Sequence, residues 1–489
     1  VLVHDEVLQC RRQEHRSCPE VADRQRAERV LIAAVALVLD RVDERGQREI
    51  ERGDIPGQRR SDVVDPHAPT GVPGAVFNRD QPHQKAPGLV LFMGIERPDD
   101  RLGAAMERGR SGKRFRHALS SSGAARALPD AAVVAGVVVE RATGSVLIVD
   151  QSEMATLARV EGFGDLSHAS VVFSPDQRFA FVFGRDGGLT KLDLTSQSIA
   201  KRVIQSGNAI GGAISDDGQL VAVSNYEPGG VRVFDADTLE LVADIPTESK
   251  TVGLVDAPGR RFVFSMWDTG ETWIADLSGA ELRLQKFADV GANPYDALIT
   301  GDGRKYIVGL FGEDGLTAFD LWADPPKQEK ILANYGRGDE PLPVYKMPHL
   351  EGWALAGDRF ALPAVGHHQV LWVDARELTE IARTDTHGQP IFAVARPDGR
   401  HVWVNYAHPD NDTVDIIDSQ SGDIIHTLKP GPAVLHMEFT PRGHQLWLSV
   451  RDDNRIEIYD THTFEKLGEL PADTPSGIFF TARAHKSGL

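Results

Sequence analysis

From residue 130 onward, short runs of alternating apolar and polar residues are bounded by Gly, Pro and Asp clusters. That is the pattern of half-buried β-strands. The runs repeat as a unit: an apolar strand, a tight turn, a second strand, a loop, and a third strand ending in Asp. The tight turns include Ser174-Pro175-Asp176, Asp216-Asp217-Gly218, Gly301-Asp302-Gly303, Arg396-Pro397-Asp398-Gly399 and Thr440-Pro441-Arg442-Gly443. The strand-ending aspartates are Asp150, Asp193, Asp235, Asp276, Asp320, Asp374, Asp418 and Asp460, at intervals of 43, 42, 41, 44, 54, 44 and 42 residues. A period of about 40–45 residues with four short strands per unit predicts an all-β, eight-bladed β-propeller. The aspartates suit turns better than catalysis, because a short carboxylate bonds backbone N–H groups just downstream. The one long interval predicts a polar insertion around Trp322 to Pro343.

The two ends of the repeat predict how the ring closes. The first unit offers strands at Val133–Val139 and Val146–Val149, with no innermost strand ahead of them. The last unit runs on into Gly477-Ile478-Phe479-Phe480-Thr481. That terminal strand supplies the missing inner strand, leaving no sheet edge open.

Residues 1–128 have a different character. They hold 20 Arg and 2 Lys against 19 Asp+Glu, whereas the rest of the chain carries 31 basic and 52 acidic groups within the total of −18. Their only aromatics are Phe77, Phe92 and Phe115, too few for a core. The apolar run Val30–Leu39 is too short to span a bilayer and lacks a cleavage site. A basic stretch from Arg108 to Arg116 precedes Ala125-Arg126-Ala127, an A-x-A pattern, but the residues between are too polar for a signal peptide. This low-order basic segment reads as a pre-sequence or as sequence upstream of the true start, and the propeller as residues 129–489. Cys10 and Cys18 lack the spacing or partners of a metal site. The acidic balance excludes a general nucleic-acid binder.

In a propeller, the loops leading into each inner strand share one face with the loops joining second to third strands. The first set carries His168, Asn208, Asp296, His349, Gln389 and His436. The second carries Arg185, Asn225, Tyr226, Trp267, Glu313, His367, His368, Tyr406, His408 and Arg451. Any one such histidine is more often a hydrogen-bonded structural residue; several converging on one axis favour a metal or cofactor pocket. Arg185 and Arg451 suit carboxylates, and Tyr226, Trp267 and Tyr406 suit the flat face of a large ring system. No GxGxxG, phosphate-binding Gly-Lys-Ser/Thr loop, C-x-x-C-H or G-x-S-x-G motif is present.

Several strings then agree in order with one family. Gly164-Asp165-Leu166-Ser167-His168-Ala169-Ser170 and Phe183-Gly184-Arg185-Asp186-Gly187 resemble the start of the d1-haem domain of cytochrome cd1 nitrite reductase. Ser224-Asn225-Tyr226-Glu227-Pro228-Gly229-Gly230, Lys346-Met347-Pro348-His349-Leu350-Glu351-Gly352-Trp353, Val404-Asn405-Tyr406-Ala407-His408-Pro409-Asp410-Asn411-Asp412 and Val434-Leu435-His436-Met437-Glu438-Phe439 point to the NirF-type branch, which serves haem d1 biosynthesis. The resemblance covers about residues 130–485.

It implies an eight-bladed propeller that binds haem d1, or an iron-containing precursor of the dihydro-haem d1 type, in the periplasm. By the resemblance His168 is the proximal iron ligand and Arg185 contacts acidic side chains of the macrocycle. Asn225, Tyr226, Trp267, Gln389, Tyr406 and Arg451 are the further cofactor-binding candidates. His349 matches a distal-pocket histidine, while Gln389 stands at the other distal position, a departure that argues against nitrite reduction. His349, His436 and Asp296 are the candidates for proton transfer. The implied partners are the tetrapyrrole, other nir biosynthesis proteins and the cytochrome cd1 nitrite reductase. Three functions stay open: a tailoring enzyme or carrier for a late d1 precursor, a d1-type dehydrogenase or reductase, and a cofactor-free propeller scaffold.

Overall fold

A computed structural model describes residues 135–341 and 353–486. Their strands form eight four-stranded antiparallel sheets, each a propeller blade. Blade 2 shows the plan: Ser170–Phe173 is innermost, followed outward by Phe179–Phe183, Gly188–Asp193 and Ser198–Ile204. The inner strands of blades 3 to 8 are Ala209–Ile214, Thr251–Ala257, Pro294–Ile299, Ala354–Ala356, Pro390–Ala395 and Val434–Phe439. Blade 1 is made from Ala135–Glu140, Ser145–Asp150 and Ala155–Glu161, with Pro475–Phe480 as its innermost strand. The propeller and its closure by the last strand are therefore as expected.

Burial follows the radius. The middle strands are covered on both faces, as in the wholly buried Leu220–Asn225, while the outermost strand Ser198–Ile204 is largely exposed or half-buried. Among the described residues the core divides into eight apolar clusters, one at each boundary between neighbouring blades. Each blade thus buries its faces only against its neighbours, as repeat architectures do.

All eight strand-ending aspartates form turns. Asp150 accepts the N–H groups of Ser152 and Glu153 at 2.8 and 3.1 Å, and Asp374 those of Arg376 and Glu377 at 2.9 and 2.8 Å. Asp193, Asp235, Asp276, Asp320, Asp418 and Asp460 do the same with one or two N–H groups. These carboxylates cap backbone donors that the turn would otherwise leave bare.

The insertion lies further along than expected. Trp322 to Pro326 form the ordinary turn before the outer strand of blade 5, Lys327–Ile331, and the extra residues follow Ile331. That strand is largely exposed, so Lys-Gln-Glu-Lys has no apolar alternation to mark it as a strand.

The closing strand pairs Gly136 with Phe480, Val137 with Phe479 and Val138 with Ile478. Ile478, Phe479 and Phe480 are all buried. Gly136 is required there, since a Cβ would lie 2.4 Å from the Phe480 ring. A buried carboxylate pins the segment just before it: Glu140 accepts bonds from Ser145 Oγ at 2.7 Å, Arg159 Nη2 at 2.7 Å and the Asp473 N–H at 2.8 Å.

Candidate functional site

One backbone hydrogen bond recurs from blade to blade and builds the face. The N–H just past the second strand donates to a carbonyl in the loop leading into the same blade's inner strand. Tyr226 donates to Asn208, Trp267 to Lys250, Phe311 to Asn293, Ala407 to Gln389, Arg451 to Ala433 and Arg141 to Thr474, over 2.8–3.3 Å. In blade 2 the donor is Arg185, one residue later, to Asp165 at 2.7 Å. These bonds tie the two loops together and fix one side-chain position per blade. Around the ring those positions read Arg451, Arg141 and Arg185 in blades 8, 1 and 2, then Tyr226, Trp267 and Phe311 in blades 3 to 5. A cationic arc passes into an aromatic arc.

The two arcs meet through contacts. The Arg185 guanidinium lies 5.0 Å from the Tyr226 ring centroid, within cation–π range. The Tyr226 and Tyr295 hydroxyls are 2.8 Å apart. Trp267 meets Tyr295 edge-on at 5.4 Å and Phe311 at 5.1 Å. All five side chains are half-buried. Burial raises the Tyr226 and Tyr295 hydroxyls above the ordinary phenol range, and the charge of nearby Asp296 adds to the rise. The wall therefore offers protonated phenols at neutral pH.

The other expected residues divide by position. His168 is half-buried in the loop before Ser170–Phe173, where Asp165 Oδ1 accepts the Ser167 N–H at 2.8 Å. Arg451 donates to Asp452 at 2.6 Å. Gln389 donates to the Pro341 carbonyl at 3.0 Å. Asp296 and His436 lie within inner strands, not in the loops before them, and both are buried. His436 Nδ1 accepts the Ile478 N–H at 3.2 Å, and its ring packs on Phe392 and Phe479. That bond leaves Nε2 as the nitrogen carrying the proton. His349 lies outside the described residues.

Asn225 and Tyr406 are not brought to the face. Each is the last residue of its second strand, one position before the recurring bond, so the strand's alternation turns it into the protein. Asn225 exchanges hydrogen bonds with Gln205. The Tyr406 hydroxyl donates to Asp415 at 2.5 Å, and His387 Nδ1 lies at the same distance from that carboxylate. The face position in blade 7 belongs to Ala407.

Tyr295, Phe311 and Arg141 escaped the sequence reading. Phe311 and Arg141 stand at the repeat offset of Tyr226 and Trp267, so a stricter count from the strand ends finds them. Tyr295 carries no such signal: it lies inside the inner strand, beside Asp296.

The Cytochrome D1 heme domain family matches residues 133–484. The chain belongs to that family. Among its d1-domain relatives are NirF of Stutzerimonas stutzeri and NirF of Pseudomonas aeruginosa, each 60% identical over 363 residues, covering 72% of this chain and 93% of the relative. The Dihydro-heme d1 dehydrogenase of Pseudomonas aeruginosa is 29% identical over 358 residues, 70% of each protein. Among solved structures, the dihydro-heme d1 dehydrogenase NirN in complex with DHE superimposes with a TM-score of 0.64 at 27% identity, covering 72% of this chain and 76% of that one. The d1-domain family expected from the sequence is the one found.

Proposed function

We propose that this d1-type propeller binds a haem d1-type tetrapyrrole on the face shared by its arginine and aromatic arcs. There it acts in haem d1 biosynthesis, tailoring or carrying a late iron-containing precursor of the dihydro-haem d1 type. The observation that carries the reading is the continuous wall from Arg185 through Tyr226, Tyr295 and Trp267 to Phe311. The NirF relatives at 60% identity support the biosynthetic setting, and the NirN complex supports the ligand class.

The residues suit such a ligand. His168 would supply an imidazole nitrogen to the iron of such a ligand. Bound there, the ligand brings a redox-active iron and a conjugated ring. Arg185 and Arg451 would hold carboxylates through paired hydrogen bonds, with Arg141 continuing the same arc. Tyr226 and Trp267 would cover the ring's apolar surface. His436, Asp296 and His349 would give or take protons, and Gln389 would offer its amide to the ligand. The setting is the periplasm, with other nir biosynthesis proteins and the cytochrome cd1 nitrite reductase as protein partners.

His168→Ala tests the assignment of His168 as the iron donor. The ferric complex with dihydro-haem d1 is expected to change its absorption and electron paramagnetic resonance spectra in the variant; identical spectra would remove His168 from the site. Incubating wild-type protein with the precursor and an electron acceptor separates tailoring, which alters the macrocycle, from carriage, which returns it unchanged.

A further inference from the structure

In blades 1, 3, 4, 5, 7 and 8 the carbonyl that accepts the recurring bond belongs to the residue directly before the inner strand. Asn208 precedes Ala209 in this way, and Lys250 precedes Thr251. Blade 2 departs from the pattern. Its acceptor is Asp165, yet its inner strand begins only at Ser170. The residues Leu166 to Ala169 are therefore let into the chain at the face, and His168 is one of them.

The two sides of this excursion are anchored. Leu166 is wholly buried at the boundary between blades 1 and 2, and Ala169 packs on the same cluster. At its base the Phe163 carbonyl accepts Arg202 Nη2 at 2.9 Å, and the Asp165 carbonyl accepts the Arg185 N–H at 2.7 Å. Between the anchors, Asp165 Oδ1 accepts the Ser167 N–H at 2.8 Å. This is an Asx turn, in which a carboxylate oxygen takes the place of a backbone carbonyl and sets the residues just after it. It fixes the direction in which the chain leaves Ser167, and so where His168 begins. Asp165 itself is exposed and fills no part of the core.

We infer that Asp165 is a positioning residue for His168: its Asx turn holds the excursion in the shape that presents the imidazole to the iron of the ligand. This rests on the reading of His168 as the iron donor. A donor to a metal needs a fixed direction as well as reach, and the groups behind it supply that direction. The accepting oxygen is what matters at Asp165, and its charge is not.

The test compares the ferric dihydro-haem d1 complexes of wild type, Asp165→Asn, Asp165→Ser and Asp165→Ala. Asparagine keeps the acceptor without the charge, a serine hydroxyl closes such turns more weakly, and alanine removes the acceptor. Asp165→Asn should match wild type in its electron paramagnetic resonance spectrum and in its rate of ligand release. Asp165→Ala should broaden the resonances and release the ligand about three- to tenfold faster, the effect of one hydrogen bond lost. Asp165→Ser should fall between them. Melting temperatures of the ligand-free proteins should coincide; a large drop would make Asp165 a residue of the fold and overturn the inference. So would Asp165→Asn behaving like Asp165→Ala, or Asp165→Ala behaving like wild type. His168→Ala separates this failure from failure of the underlying reading. A His168→Ala spectrum identical to wild type removes the donor and the inference with it. An altered spectrum, beside an unchanged Asp165 series, leaves the donor standing and overturns the positioning alone.

Discussion

Arg185 joins the two arcs because a guanidinium does two things at once. Its charge lies over Tyr226, and its planar fork of donors suits a carboxylate. Arg185→Ala should weaken binding of a dihydro-haem d1-type ligand roughly tenfold or more, about 1.5–3 kcal/mol, as read by absorbance titration. Arg185→Lys should recover only part of this, since an ammonium supplies charge without the paired donors of a guanidinium; full recovery would reduce Arg185 to a point charge. A second residue, Glu140, tests the architecture. With its carboxylate wholly buried among Ser145, Arg159 and the Asp473 N–H, Glu140→Ala removes the acceptor of three donors, leaving the Asp473 N–H unmatched while Ser145 keeps Thr143 and Arg159 keeps the Asp473 carboxylate. The expected cost is about 2–3 kcal/mol in chemical denaturation, less than for a fully buried pair because Arg159 is partly exposed. At this scale the sequence was legible to within one position. Tyr226 and Trp267 lie on the face the sequence points to, because an aromatic in a loop is conspicuous. Tyr406 is equally conspicuous, but it precedes the recurring backbone bond, and that bond is formed between segments that sequence alone does not place side by side.

The third strand of each blade and its turn form the most readable element. The signal is local: a carboxylate bonds N–H groups two and three residues on, so a single sequence window contains the whole interaction. The same bonds make a pH prediction. Backbone N–H groups hold the Asp235, Asp374, Asp418 and Asp460 carboxyls below their ordinary range, and the Arg304 side chain holds Asp320 down at about 2. A carboxyl depressed in the folded state stabilises above its unfolded value, near pH 4 or about that. That contribution is lost as pH falls through the folded value. Thermal melts should therefore be insensitive to these groups near neutrality and decline below about pH 4 toward pH 2. A melting temperature that rises on acidification through that window would contradict the assignment. Outer strands were less legible. Lys327–Ile331 is polar because it faces solvent, and nothing in its composition separates it from the loop that follows.

For the whole molecule, eight separate boundary cores mean that no blade is complete without both neighbours. The ring is closed by one strand, Pro475–Phe480, whose Ile478, Phe479 and Phe480 each contribute about 2 kcal/mol or more through burial. The segment that follows adds an ion pair between Arg483 and Glu438 at 3.8 Å. Ending the chain at Pro471 should open blade 1 and abolish the single cooperative unfolding transition. A truncated protein that unfolds like the full chain would show that the closing strand is dispensable. Blade number and closure were readable because both depend on period and on end patterns. The face's chemistry was only partly so, because Tyr295 acquires its meaning from Tyr226 and Trp267, which reach it across other blades.

The central claim is that this face binds a haem d1-type tetrapyrrole. Its most direct test is a stepwise absorbance titration of the purified protein with dihydro-haem d1. The account predicts a saturable shift of the Soret band with an end point at one ligand per chain. A spectrum that remains the sum of free ligand and free protein at every ratio would contradict it.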